Sequence, residues 1–209
     1  IYNSLDYENQ LIVRKTLRSS DIYVDHFKNT YPVLIFIGRL TKLKKLNLLI
    51  EAQNQLINSG NPVNLIFIGK GEEEKKLKKL VDLRKTERFV WFFGPSYNEI
   101  EIGELIYNAE ICVSPGNVGL TAMHAMVYGT PVISHDDFTL QMPEFESIVK
   151  GETGDFYENE NINSLVLTIE NWFKSNNDRE YVRNKCFEKI DNYFNPMYQL
   201  KIIQKVLNE

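Results

Sequence analysis

Short apolar runs alternate with amphipathic segments along this chain. Two runs, Val33 to Gly38 and Val63 to Gly69, are mostly apolar and end in glycine, which is typical of parallel strands buried on both faces. Between them, apolar residues follow helical spacing from 46 to 57, and Ser59-Gly60-Asn61-Pro62 is a helix stop signal. The pattern predicts a strand, a helix and a second strand.

The alternation continues through the middle of the chain. The remaining elements predicted there are strands at 89–93, 111–113 and 131–134 and helices at 72–85, 98–108 and 120–128. Repeated strand-helix-strand units imply right-handed crossovers. The predicted fold class is therefore α/β, a Rossmann-like doubly wound parallel sheet with five strands.

Both ends of the chain depart from this alternation. Apolar positions have helical spacing over 163–173 and 179–194, and Pro196 precedes a last helix that ends near Leu207. The first residues are polar and helix-like without a glycine hinge. The predicted division is an arm or linker at 1–31, the sheet domain at 32–177, and C-terminal helices at 178–209.

The composition is that of an ordinary globular protein, and the distribution of charge favours a small anionic partner. The 209 residues are 43% hydrophobic, enough for a substantial core, and the net charge of -4 argues against nucleic-acid binding. The basic cluster at 42–45 could serve one anionic ligand. Cys112 and Cys186 lie far apart and have no metal-ligand spacing, which fits a reduced cytoplasmic compartment. No apolar run approaches the roughly 18 to 20 residues of a membrane span, and the missing initiator Met suggests an excised fragment.

Two segments are candidates for anion binding. Gly38-Arg39 follows the first strand, with Lys44 nearby, and ligands of open α/β sheets bind at the carboxyl ends of strands. Arg39 could hold phosphate oxygens bidentately. A solvated basic loop would have the same composition.

The second candidate is the glycine-bearing turn after the fourth strand. Gly116, Asn117, Val118 and Gly119 precede a helix that begins near Leu120, so unpaired N–H groups and the helix dipole point at one place. The hydroxyl of Thr121 could add a donor. A tight turn that needs positive φ would explain the same letters.

Further short motifs accompany these two segments in a fixed order along the chain. The full series is Gly38-Arg39-Leu40, Lys44, Leu49-Ile50-Glu51-Ala52, Ile66 to Gly71, Gly94, Ser114 to Leu120, Ala125-Met126, Gly129 to Ile133, Glu146 and Gly151 to Gly154. Taken in this order, the motifs resemble the donor-binding domain of retaining GT-B glycosyltransferases of the group 1 family. The resemblance runs from about residue 33 to 175; Tyr2 to Asp6 resembles that family's interdomain linker, and the helices after 178 resemble its returning segment. We therefore expect an N-terminal acceptor domain in the full-length protein.

The resemblance implies transfer of a sugar from a UDP- or GDP-linked donor to a glycan or lipid-linked acceptor. It places stabilisation of the leaving diphosphate on Arg39 and Lys44, with no metal and no cofactor. The cysteines and the net charge predict a cytoplasmic protein that binds no nucleic acid, and the full-length protein could associate peripherally with the inner face of the membrane. The donor-binding residues that it implies are Gly38, Gly116, Asn117, Val118, Gly119, Leu120, Thr121, His124 and Glu146.

Three positions depart from the family pattern. Gly116 and His124 stand where the family usually has two glutamates, one near the donor sugar and one near the ribose. Lys45 stands where the family often has glycine. These changes leave nucleotide binding plausible and leave the identity of the sugar open. His135-Asp136-Asp137 could contact the ligand, although a polar loop is the favoured interpretation. Of the two carboxylates after Pro143, Glu144 and Glu146, the second better matches the family glutamate near the ribose or sugar.

The glycine pattern after the second strand argues against another class of nucleotide-binding protein. Gly69-Lys70-Gly71 is followed by Glu72-Glu73-Glu74, which lacks the third glycine of a dinucleotide-binding turn and would repel pyrophosphate. A nicotinamide dehydrogenase is therefore disfavoured. A non-catalytic nucleotide-sugar-binding module and half of a nucleotide-sugar epimerase remain as alternatives, although an epimerase would need more acid and base residues.

Overall fold

The computed structural model describes residues 5–175 and 178–208. The strands are β1 Val33–Ile37, β2 Asn64–Ile68, β3 Val90–Gly94, β4 Ile111–Ser114, β5 Val132–His135 and β6 Gly154–Tyr157. They form one parallel sheet in the order β3-β2-β1-β4-β5-β6. The predicted doubly wound α/β fold is confirmed.

The strand order reverses between β1 and β4. On one side of this point the chain moves outward through β2 and β3, and on the other through β5 and β6. Connections leave in opposite directions there, so a crevice opens at the carboxyl ends of β1 and β4. The two candidate segments, after Ile37 and after Ser114, both flank this crevice.

Helices cover both faces of the sheet. They are α1 Tyr7–Thr16, α2 Ile22–Phe27, α3 Leu46–Asn58, α4 Glu74–Arg84, α5 Glu99–Asn108, α6 Leu120–Val127, α7 Ile162–Lys174, α8 Arg179–Tyr193 and α9 Pro196–Leu207. Along β1, Leu34 and Phe36 pack in one buried cluster with α3, α4 and α7, whereas Ile35 and Ile37 pack in the other with α1, α2, α5, α6 and α8. Burial on both faces explains why the strands are continuously apolar.

The sixth strand, β6, is an element that the hydrophobic pattern did not indicate. It has four residues, includes the charged Asp155, and lies at the sheet edge beside β5. Such a short edge strand is specified mainly by backbone pairing, so its own apolar pattern is weak. A Cβ on Gly154 would lie 1.8 Å from the Val132 carbonyl oxygen, so this glycine permits the close pairing.

The polar N-terminal segment packs on the sheet domain. Tyr23 is buried and its hydroxyl donates to the Leu105 carbonyl at 2.6 Å, while Arg14 forms an ion pair with Asp191 of α8 at 2.8 Å. The described part of the arm therefore joins α5 to α8. The predicted boundaries after 31 and 177 stay predictions, and residue 177 and the linker residues Tyr2 to Ser4 lie outside the described residues.

Candidate functional site

The chain leaves β1 through a backbone that is fixed on both sides of Arg39. The Gly38 amide donates to the Ile68 carbonyl at 2.9 Å, and the Leu40 amide donates to the Lys70 carbonyl at 3.0 Å. Leu40 is buried whereas Arg39 is exposed. The guanidinium is thus carried by an anchored backbone at the carboxyl end of β1, beside the crevice.

Two glycines after β2 allow this anchoring. A Cβ on Gly69 would lie 2.0 Å from the Gly38 carbonyl oxygen, and a Cβ on Gly71 would lie 2.2 Å from that of Leu40. Both distances are far below van der Waals contact, so only glycine fits without a backbone shift. These glycines bring the loops after β1 and β2 together.

Lys44 joins the loop after β1 to the glycine turn. It ends a 3-10 turn, Lys42–Lys44, and its Nζ donates to the carbonyl of Asn117 at 2.5 Å and to that of Val118 at 3.3 Å. Burial lowers the pKa of this amine, and the nearby Arg39 lowers it further. The structure therefore brings the two predicted catalytic cations to the same crevice.

The next residue, Lys45, adopts the left-handed conformation at φ +49°. This conformation favours glycine, the residue that the family often has here. The Lys45 Nζ pairs with Glu160 at 2.8 Å and donates to Asn159 at 3.2 Å. Lysine at this position therefore ties the loop after β1 to the loop after β6.

Gly116 lies directly against the 3-10 turn. Its amide donates to the Lys44 carbonyl at 3.0 Å, and a Cβ would lie 1.9 Å from the Leu43 carbonyl oxygen. A glutamate at 116 would need this turn to move. The substitution noted in the sequence is therefore coupled to the position of Lys44.

The turn from Asn117 to Gly119 leads into α6, which follows Gly119 at φ +50°. Some of the predicted donors already have protein partners: the Val118 amide donates to Gln141 Oε1 at 2.8 Å, and the Thr121 hydroxyl donates to the Ile37 carbonyl at 2.8 Å. The first-turn amides of a helix have no intrahelical acceptors. The amides of Leu120 and Thr121 are in this first turn and remain the candidate phosphate donors.

Two cavities meet at the end of β1. One of about 670 Å³ lies beside the glycine turn, and a second of about 730 Å³ lies beside β2 and β3; Gly38 and Arg39 line both. The first is lined by Gly38, Arg39, Thr41, Leu43, Lys44, Lys45, Asn117, Leu120, Thr121, His135, Leu140 and Met142. We call this first space the glycine-turn cavity. Each is large enough for part of a nucleotide sugar.

His124 is held by a carboxylate on the neighbouring helix. Its Nε2 lies 2.9 Å from Glu99 Oε1, which also accepts from Tyr128 at 2.6 Å and Gln10 at 3.1 Å. Burial tends to raise the Glu99 pKa, but the hydrogen bond and charge of His124 and the bonds from Tyr128 and Gln10 lower it to about 2. His124 does not line either cavity, and the ligand contact predicted for it stays a prediction.

The two carboxylates after β5 have different environments. Glu144 is 2% exposed and close enough to Lys44 to raise the pKa of that amine, whereas Glu146 is exposed. Neither lines the glycine-turn cavity. The donor contact assigned to Glu146 by resemblance stays a prediction, and Glu144 is the carboxylate nearer the cations.

Gln141 is a site residue that the sequence did not single out. Besides accepting from the Val118 amide, it donates through Nε2 to the Ser134 hydroxyl at 2.8 Å. Asn117 Nδ2 also donates to the Leu140 carbonyl at 3.1 Å. An amide in a polar loop has no distinctive sequence signal, yet here it fixes the loop after β5 to the glycine turn.

The described residues contain neither a metal-binding cluster nor a membrane-spanning helix. Within 5–175 and 178–208, no group of three or more His, Cys, Asp or Glu side chains is arranged to hold a metal ion. Over the same ranges, no helix has both the length and the apolar character needed to cross a bilayer.

Comparison with known proteins identifies relatives of this architecture. The family Glycosyl transferases group 1 matches residues 20–188. Poly(ribitol-phosphate) alpha-N-acetylglucosaminyltransferase of Staphylococcus aureus (strain COL) is 25% identical over 172 residues, covering 81% of this chain and 33% of that protein. Glycogen synthase of Francisella philomiragia subsp. philomiragia is 26% identical over 167 residues, covering 74% of this chain and 34% of that protein. The chain therefore spans about a third of the length of these relatives.

A solved structure shows the same fold. Anabaena HepE in complex with UDP matches with a TM-score of 0.78 at 17% identity, covering 100% of this chain and 57% of that chain. At this identity the likeness concerns the fold alone.

Proposed function

The chain belongs to the glycosyl transferases group 1 family, and we propose that it is the donor-binding part of a retaining GT-B glycosyltransferase. The proposed reaction moves a sugar from a UDP- or GDP-linked donor to a glycan or lipid-linked acceptor. The observation that carries the proposal is the convergence of Arg39, Lys44 and the start of α6 on one crevice. The crevice offers both cations and first-turn helix amides, two kinds of group that bind a diphosphate well.

The departing nucleoside diphosphate gains negative charge as the bond to the sugar breaks. We propose that Arg39 and Lys44 stabilise this charge without a metal ion, assisted by the amides of Leu120 and Thr121. Because these groups sit on an anchored backbone, little reorganisation is needed during the reaction, which favours electrostatic stabilisation of the transition state. Support for retention of configuration comes from the family resemblance, and the anomeric configuration of the product would test it.

The acceptor and the cellular location belong to the same proposal. The acceptor would bind through another domain of the full-length protein, which would act in the cytoplasm, peripherally at the inner face of the membrane. The names of these two relatives both include a polymer, poly(ribitol-phosphate) in one and glycogen in the other. UDP is the first nucleotide to test because it is bound in Anabaena HepE.

A non-catalytic nucleotide-sugar-binding module is the second candidate. It is favoured by one observation: the two positions where the family has glutamates hold Gly116, packed against the Leu43 carbonyl, and His124, held by Glu99. Such a module would bind the donor without transfer. Turnover of UDP- and GDP-sugars by the full-length protein separates the two candidates.

Calorimetric titration of this chain with UDP and GDP tests donor binding. One charge-assisted hydrogen bond contributes about 1.5 to 3 kcal/mol. Arg39→Ala should therefore lower the affinity for the nucleoside diphosphate by about tenfold to a hundredfold. Arg88→Ala is the matched control, because Arg88 is exposed and precedes β3 at the amino end of the sheet. Absence of binding, or equal affinity of the Arg39→Ala variant, would refute the site.

A further inference from the structure

One side of the glycine-turn cavity is apolar. Four of its lining side chains are large, apolar and 40 to 77% exposed, namely Leu43, Leu120, Leu140 and Met142. Arg39, Lys44 and Lys45 line the same cavity. Large apolar side chains grouped at the surface commonly mark a binding site. The cavity therefore suits a ligand that is anionic at one end and partly apolar at the other.

The apolar side is held in place by hydrogen bonds. The Leu140 carbonyl accepts from Asn117 Nδ2 at 3.1 Å, and the neighbouring Gln141 binds both the Val118 amide and the Ser134 hydroxyl. These bonds fix the loop after β5 to the same turn that precedes α6. The position of Leu140 relative to the candidate phosphate donors, the amides of Leu120 and Thr121, is therefore fixed.

A histidine ring completes this part of the cavity. His135 is 1% exposed and lines the cavity, and its buried Nδ1 has no hydrogen-bond partner among the described residues. Buried polar groups in proteins are nearly always hydrogen-bonded. A ligand group able to donate or accept a hydrogen bond would satisfy the ring.

Carboxylates are missing from this lining. Among the described residues around the glycine-turn cavity, none is Asp or Glu. A hexose bearing only hydroxyl groups would lose water contacts against the apolar side without gaining strong acceptors. A substituent with both a methyl group and an amide matches the side chains present.

We propose that the glycine-turn cavity selects a donor sugar carrying an acetamido group, with its methyl against Leu140 and Met142 and its amide paired with the His135 ring. The selection presupposes the proposed function, because the diphosphate is taken to lie on Arg39 and Lys44. The nucleoside then occupies the second cavity, which shares Arg39 and is lined by Tyr97, a ring that is 92% exposed.

The test compares the affinities of the chain for UDP, UDP-glucose, UDP-glucosamine, UDP-N-acetylglucosamine and GDP-mannose. Burial of one methyl group corresponds to about fourfold in affinity and a hydrogen bond adds a similar factor, so the acetamido donor should bind roughly fifteenfold tighter than UDP-glucose. The Leu140→Ser variant should lose most of this preference while its UDP affinity stays unchanged. Leu167→Ser is the matched control, since Leu167 is 55% exposed on α7 and Leu140 is 54% exposed.

A second variant, His135→Phe, retains a ring and removes the nitrogens. It should reduce the preference for the acetamido donor while UDP binding is retained.

The possible outcomes distinguish the proposed function from the proposed sugar selection. If the unmodified chain binds no nucleoside diphosphate, the proposed function is refuted. Normal UDP binding with equal affinities for the three sugars, or tighter binding of GDP-mannose than of UDP-N-acetylglucosamine, refutes the selection alone. Weaker binding of UDP itself by Leu140→Ser would show that the apolar side holds the base, and would also overturn the selection.

Discussion

Replacing Gly116 with alanine tests whether the position of Lys44 depends on this glycine. The added Cβ would lie 1.9 Å from the Leu43 carbonyl oxygen and 2.8 Å from the Lys44 Cα. The contacted atoms are backbone, so no rotamer change relieves the clash. The 3-10 turn must move, and the bond from the Gly116 amide to the Lys44 carbonyl lengthens from 3.0 Å.

The expected cost has two parts. Overpacking costs about 1 to 3 kcal/mol, and loss of one hydrogen bond adds about 0.5 to 1.5 kcal/mol. The free energy of unfolding should therefore fall by about 2 to 4 kcal/mol, which lowers Tm by about 5 to 12 °C for a chain of this size. Because Lys44 moves with the turn, UDP affinity should fall by about tenfold, the equivalent of roughly 1.4 kcal/mol.

Thermal unfolding followed by circular dichroism and calorimetric titration with UDP measure the two effects. Gly60→Ala is the control: a Cβ there meets nothing within 4 Å, but φ is +85°, so the variant carries backbone strain far from the site. It should lose stability and keep its UDP affinity. A Gly116→Ala protein with the Tm and UDP affinity of the unmodified chain would refute the reasoning.

Two further predictions concern polar contacts beside the site. The Glu99 pKa is lowered to about 2 from an ordinary value of 4.5, so its contribution to stability is present above pH 4.5 and is lost as the pH falls towards 2. Since Glu99 is partly exposed, that contribution is about 1 to 2 kcal/mol after solvent screening. Glu99→Gln should therefore lower Tm clearly at pH 7 and much less at pH 2.5, where the pH approaches the folded-state pKa. An equal difference at both pH values would contradict this. Gln141→Leu leaves the Val118 amide without its acceptor, so the free energy of unfolding, measured by urea denaturation, should fall by about 1 to 3 kcal/mol. Hydrogen exchange at the Val118 amide should also become faster. An unchanged exchange rate would contradict the contact between Gln141 and Val118.

Local sequence was enough for most of the fold. The apolar runs ending at Gly38 and Gly69 identified β1 and β2, because a strand buried on both faces must be apolar throughout. The glycine turn before Leu120 and the cation at 39 were likewise visible in single segments. β6 was missed because an edge strand such as Gly154–Tyr157 depends on pairing with β5.

The sequence by itself determined the order of strands and helices, the glycine turn and the two cations, since each depends on neighbours in the chain. Only the tertiary structure decided how they combine. It placed the Leu43 carbonyl against Gly116, joined His124 to Glu99 across 25 positions, and attached Gln141 to the Val118 amide. Such contacts arise where segments remote in the sequence are packed together, and their distances depend on the whole core rather than on any local pattern.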